Sequence, residues 1–171
     1  NAELLNLMKK PGEWGFSFDN FKADMGAAVD RSRKVSSTLT QGVGYLLRKH
    51  KIELFRGAGR LTSTTTVQVE DGPELSANDI VIATGARPRS LPGLEIDGES
   101  VITSRNALEM RETPNAIAIV GGGAIGVEFA YYFRAYGAEV TIFEMLDHLV
   151  PNEDEEVSVE LERAYKKLGI K

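Results

Sequence analysis

The sequence contains no cysteine. That excludes disulfides, thiolate metal sites and thiol redox chemistry within these 171 residues. No apolar run approaches the roughly 20 residues that a membrane-spanning helix needs. The amino end, Asn1-Ala2-Glu3-Leu4-Leu5, has neither the basic flank nor the long apolar core of a secretion signal, so a cytoplasmic protein is the default expectation. A basic surplus is also missing. With 20 Lys and Arg against 25 Asp and Glu, the net charge of -5 gives no reason to expect nucleic acid or an anionic membrane as partner. Internal repeats and low-complexity segments are absent. What remains is an ordinary globular composition, 42% hydrophobic and 26% charged, long enough for one domain or two small ones.

The informative stretch runs from Asn115 to Glu144. An apolar run, Ala116-Ile117-Ala118-Ile119-Val120, breaks into Gly121-Gly122-Gly123-Ala124-Ile125-Gly126. Val127-Glu128-Phe129-Ala130 continues as a helix, Gly137 turns the chain, and Glu139-Val140-Thr141-Ile142-Phe143 ends at Glu144. This reads as strand, glycine turn, helix and strand, closed by an acid at nearly the spacing of about 20 residues that a dinucleotide-binding unit shows. Gly121 permits the tight turn, Gly123 lets backbone approach a pyrophosphate, and Gly126 allows close helix packing. The free amides and positive dipole end of the helix attract phosphate. Glu144 would accept from adenosine ribose hydroxyls. Met145 and Leu146 supply no cation for a 2′-phosphate, which favours NAD over NADP. The bland alternative is an ordinary glycine-rich turn between strand and helix.

Elsewhere the pattern predicts a short helix from Ala2 to Lys10, stopped by Pro11-Gly12. Trp14 reads as a packing anchor in an aromatic loop. Asp19 is the expected N-cap of a long helix reaching Lys49, whose Met25, Ala28, Val29, Ser32, Val35, Leu39, Val43 and Leu46-Leu47 form one buried stripe. Arg31, Arg33 and Lys34 form its solvated face, with phosphate binding as the lesser reading. Ile52–Arg56 and Thr64–Glu70 read as strands, with Asp71-Gly72-Pro73 turning the chain. Ile80-Val81-Ile82 is apolar on both faces, as a buried parallel strand requires, and Thr84-Gly85 ends it where open α/β sheets bind ligands. Pro88 and Pro92 mark a crossing segment. Ser104 caps a short helix to Met110. Asn152 and Glu155 resemble a capping box for a last helix through Leu168. Its acidic start, Glu153, Asp154 and Glu156, suits the helix dipole better than a metal. His50 and His148 read as solvated.

The segments Asp79 to Pro88, Leu91-Pro92-Gly93, the block from Gly121 to Ala130, and Val140 to Glu144, taken in this order, resemble the flavin-linked pyridine-nucleotide disulfide oxidoreductases. The blocks GGGAIGVEFAYYF, AYGAEVTIFEM and LVPNEDEEVS resemble the dihydrolipoamide dehydrogenases among them. The resemblance implies an α/β fold: a partial FAD/NAD(P)-binding Rossmann-like domain with a parallel sheet flanked by helices, plus a long helix and a small antiparallel β element. It implies that Thr84, Gly85 and Ala86 touch FAD and that Gly59 gives a backbone contact to the FAD adenosine. It further implies that Gly121, Gly122, Gly123, Ala124, Ile125, Gly126, Val127 and Glu128 form the NAD phosphate loop, with Glu144 as the ribose acid. Glu128 would also pair with a lysine on the flavin side, and Ile125 takes the place of a gate over the nicotinamide pocket.

The family's own glycine-rich FAD motif, its redox cysteine pair and its catalytic His-Glu pair have no counterpart here. The expectation is therefore an internal piece of such an enzyme, with residues 1–88 from the FAD domain, 89–114 a linker and 115–171 the first part of the NAD domain. No catalytic residue and no metal ligand is expected in it, and cofactor binding by the piece alone should be weak or absent. The parent would be a homodimer serving lipoyl groups of a 2-oxoacid dehydrogenase complex, and the piece would self-associate through open strand edges. Two alternatives stay open: a glutathione or mercuric reductase-like relative, and a non-catalytic nucleotide-binding module.

Overall fold

A computed structural model describes the whole chain, Asn1–Lys171. It forms two compact units: Asn1–Ser32 with Ser90–Lys171, and Arg33–Arg89.

The first unit is built on a parallel pair of strands. β4 (Ala116–Val120) lies beside β5 (Glu139–Phe143), with Ile117 opposite Val140 and Ile119 opposite Ile142. Parallel neighbours need a crossover, and α4 (Ala124–Ala135) provides it. Ile117 and Ile119 are half-buried in the core, while Ala116, Ala118 and Val120 on the other face of β4 are exposed. Ala130 and Phe133 of α4 are fully buried with Ala138 and Val140. α5 (Glu155–Leu168) completes the layer. Its Tyr165 hydroxyl donates to the Val127 carbonyl at 2.7 Å in a buried setting, a bond with a net contribution of about 1 kcal/mol. The chain then returns to β5: Lys171 N–H donates to the Val140 carbonyl at 3.0 Å, and its carbonyl accepts from Ile142 at 2.7 Å. That alternation is a parallel bridge on the edge of β5 away from β4.

α1 (Ala2–Met8) packs Ala2 and Leu5 on Ala135, with Tyr131, Tyr132 and Tyr136 alongside. Lys9 donates to the Ala135 carbonyl at 2.5 Å, and Arg134 to those of Leu168 and Ala138. Two of these carbonyls, Ala135 and Leu168, end helices, where the dipole favours positive charge. The first turns of α2 (Met25–Lys49) also belong here: Met25, Ala28 and Val29 are buried, and Arg111 forms a two-point pair with Asp30. The second unit carries the rest of α2 and an antiparallel meander of β1 (Gly59–Leu61), β2 (Thr66–Val69) and β3 (Glu74–Ser76).

The architecture is the expected one, a partial Rossmann-like α/β fold with a long helix and a small antiparallel element. Several local expectations are corrected. α2 starts at Met25, and the Asp24 carboxylate, rather than Asp19, accepts the Ala27 N–H at 2.9 Å. Its expected buried stripe covers only the amino end, since Val35, Leu39, Val43 and Leu46 are exposed. Amphipathic spacing says which residues can be covered, but only a packed neighbour covers them. For the same reason Ile52–Arg56 and the Ile80-Val81-Ile82 run form no strand, and Val81 is 87% exposed. A strand exists through its partner's hydrogen bonds, and no strand of this chain pairs with either. Trp14 is 59% exposed rather than packed as the expected anchor. The short helix α3 (Ser104–Ala107) is capped by Thr103 with Asn106, one residue before Ser104, and Asp154 takes the N-cap of α5 in place of Asn152. No helix is long and apolar enough to cross a membrane.

Candidate functional site

The site sits where β4 ends and α4 begins. Gly121 leaves the strand at φ +103°, a conformation open to glycine, and its N–H donates to the Phe143 carbonyl at 2.8 Å. Gly123 is the N-cap of α4, and its carbonyl accepts from Val127 at 3.0 Å. No side chain caps this helix, so the first-turn amides of Ala124, Ile125 and Gly126 lack intrahelical partners and stand at the positive end of the dipole.

The three motif glycines answer different demands. Gly121 needs its positive φ. A Cβ on Gly126 would stand 2.0 Å from the Gly121 carbonyl oxygen and 3.3 Å from Ile119 of β4, so helix and loop touch there without intervening atoms. A Cβ on Gly123 would meet nothing within 4 Å. The absent side chain at Gly123 leaves open the volume in front of the free amides, which is where an anion would approach.

Glu144, directly after β5, folds back over the turn. One carboxylate oxygen accepts the Gly122 N–H at 2.6 Å, and the other accepts those of Met145 and Leu146 at 2.8 and 2.9 Å. The Leu146 and Gly122 amides, followed by that of Met145 and the nearby His148, hold its carboxyl below the usual carboxylate range.

The segment after Glu144 was not legible as part of the site. Val150 N–H donates to the Gly122 carbonyl at 2.8 Å, and the Leu149 methyl lies where a Cβ on Gly122 would be, 2.5 Å from it. His148 is not solvated as expected: its Nδ1 lies 3.0 Å from both the Leu149 carbonyl and the Ser158 hydroxyl. No local periodicity announces these contacts, because they join a loop to a helix and a turn distant in sequence.

Of the other expected site residues, Ile125 and Glu128 are exposed on the first two turns of α4 and Val127 is buried beneath. Gly59, Thr84, Gly85 and Ala86 lie in the second unit. Gly59 opens β1 opposite Val69, and Gly85 turns at φ +76° in an exposed segment without regular structure. No group of three or more His, Asp or Glu is placed to hold a metal ion.

The pyridine nucleotide-disulphide oxidoreductase family matches residues 7–171. The chain belongs to that family. Among its pyridine nucleotide-disulphide oxidoreductase relatives, the dihydrolipoyl dehydrogenase of Chlorobaculum parvum is 46% identical over 99% of this chain and 37% of its own length. The enzyme of the same name from Mycobacterium leprae is 45% identical over all of this chain and 38% of its own. In structure, LpdA from Mycobacterium tuberculosis superposes with a TM-score of 0.84 at 25% identity, covering 99% of this chain and 38% of that one. RclA of Escherichia coli, an HOCl-induced flavoprotein disulfide reductase, gives 0.76 at 25% identity over 98% of this chain and 36% of that one. The chain therefore spans under two fifths of the length of these relatives. The family and these relatives bear the names of oxidoreductases, and this chain, which has no cysteine, carries no redox thiol.

Proposed function

We propose that Gly121–Glu128 and Glu144 hold the pyrophosphate and adenosine ribose of NAD(H), within a dihydrolipoamide:NAD⁺ oxidoreductase. The observation that carries this is the set of unpartnered amides at the start of α4, fronted by open volume at Gly123 and flanked by the Glu144 carboxylate. Backbone N–H groups at a helix start bind phosphate without a cationic side chain. A carboxylate beside the ribose accepts hydroxyl protons and repels a 2′-phosphate, which selects NAD over NADP. Gly59, Thr84, Gly85 and Ala86 would contribute backbone to one side of FAD. FAD, when bound, supplies the electron relay between a dithiol and NAD⁺. The chain's residues bind and orient, and none donates electrons. Residues 1–88 would then serve the flavin, 115–171 the nicotinamide nucleotide, and 89–114 would join them.

Titration of the chain with NADH and NADPH, followed by nucleotide fluorescence, tests the reading. NADH should bind weakly and NADPH at least about tenfold more weakly still, the equivalent of some 1.4 kcal/mol. Equal affinities would remove Glu144 from ribose recognition, and no binding of either would remove the phosphate loop. The chain should not oxidise dihydrolipoamide, since that exchange needs a thiolate. The likeness to RclA supports a second reading, a disulfide reductase acting on another substrate. Activity of the longer protein on dihydrolipoamide against other dithiols separates the two.

Partners follow from the same reading. The longer protein would form a homodimer and meet lipoyl groups of a 2-oxoacid dehydrogenase complex in the cytoplasm. In this chain the outer edge of β4 carries no strand, and unpaired edges template association. Size-exclusion chromatography with light scattering should show dimers or larger species, and a clean monomer would refute this.

A further inference from the structure

We propose that His148 is a positioning residue of the dinucleotide site, locking the segment after β5 against the glycine turn. The inference rests on the NAD reading above and extends it to a residue outside the motif.

Three observations combine. First, a carbonyl oxygen can only accept, so the 3.0 Å approach of His148 Nδ1 to the Leu149 carbonyl requires the proton on Nδ1. The Ser158 hydroxyl, also 3.0 Å away, then accepts from the same N–H and points its own proton at the Asp154 carbonyl at 3.4 Å. Ser158 is fully buried, so this partner is fixed in place. Second, the two residues after His148 clasp Gly122 directly, Val150 through its N–H and Leu149 through its methyl. Third, the N–H of the same Gly122 donates to Glu144. A continuous line of contacts therefore runs from α5 through Ser158 and His148 to Leu149 and Val150, then to Gly122 and Glu144. α5 is itself tied to α4 by the Tyr165 bond to Val127. His148 sets where the central glycine and the acid stand, and it does so through its Nδ1–H.

The test uses the whole chain with ¹⁵N-labelled imidazole and backbone amides, at mildly alkaline pH. NMR should report the Nδ1–H tautomer. In His148→Ala the amide resonances of Gly122 and Leu146 should move, and NADH affinity should fall about fivefold to tenfold, as loss of a hydrogen-bonded positioning contact implies. His148→Asn, whose amide N–H can take the place of Nδ1–H, should return both resonances and restore most of the affinity. His148→Gln, with its N–H one bond further out, should not. An Nε2–H tautomer, an unmoved Gly122 resonance in His148→Ala, or NADH binding by that variant at the unaltered level would each overturn the proposal. Should His148→Ala fail to fold, Ser158→Ala must displace the same Gly122 resonance, and its failure to do so would equally overturn it. If the unaltered chain binds no NADH, the dinucleotide reading fails. The clamp on Gly122 then stands or falls by the tautomer and the resonances alone.

Discussion

Gly126→Ala should unfold the dinucleotide unit or come close to it, while Gly123→Ala should leave the fold intact and remove nucleotide binding. The added methyl is the same, and both positions lie within one turn of the same helix. At Gly126 it would stand 2.0 Å from the Gly121 carbonyl oxygen. That atom is backbone and cannot swing aside, so either α4 lifts from β4 or the turn opens. Overpacking typically costs about 1–3 kcal/mol, and a clash with fixed backbone belongs at or above the top of that range. For a chain of this size, about 3 kcal/mol lowers the melting temperature by roughly 10 °C. At Gly123 the methyl meets nothing, and φ −72° with ψ −179° is extended backbone that alanine adopts freely. Its melting temperature should stay within about 1–2 °C of the unaltered chain, yet the methyl occupies the volume a phosphate needs, so NADH affinity should fall at least about tenfold. Circular dichroism melts with NADH titrations check both. Equal melting temperatures for the two variants would mean that helix and strand are not in the contact described.

Glu144→Gln should cost NADH affinity about tenfold to a hundredfold, the worth of charge-assisted hydrogen bonds to ribose hydroxyls, and should narrow the preference for NADH over NADPH. The carboxylate already accepts from three amides, leaving about one of its four acceptor positions for a ligand. A ribose diol must therefore share or displace a bond, and the Gly122 link is the one facing the turn. The amide replacement keeps one acceptor oxygen and sets an N–H₂ group against backbone donors, so loop geometry loosens as well.

The pH dependence has a definite sign. Because the folded-state carboxyl lies below its ordinary value of 4.5, the stabilisation by ionised Glu144 is fully present above that value and disappears as pH falls through the lower, folded one. The stability gap between the unaltered chain and Glu144→Gln should accordingly be constant from neutral pH down to about pH 5 and shrink below it. A gap that widens on acidification would show that the three amides do not hold the ionised form. Urea unfolding at several pH values provides the measurement.

Much of the site was legible before any fold was known. Glycines at 121, 123 and 126 between an apolar run and a helical pattern place a turn at a helix start, and an acid closing the next apolar run places it at the same sheet edge. These are local constraints: positive φ, helix periodicity and strand alternation all act within a few residues. The second unit was less legible. Ile80-Val81-Ile82 has the composition of a buried strand, yet it pairs with no strand and leaves Val81 and Ile82 exposed, because strand formation is a property of two segments. The exposed half of α2 makes the same point for a helix. His148 makes it for function, since its partners come from α5 and the glycine turn.

The order of residues fixes the elements whose cause is local: the parallel β4–α4–β5 unit, the turn with its free amides, and the acid at its rim. Packing between distant segments supplied the rest. It put Gly126 against the Gly121 carbonyl, folded Glu144 back onto Gly122, and braced that turn through His148 and Ser158. The division follows from range: backbone dihedrals and periodicity are written in neighbouring residues, whereas a hydrogen bond or a steric contact between distant segments exists only once packing has brought them together.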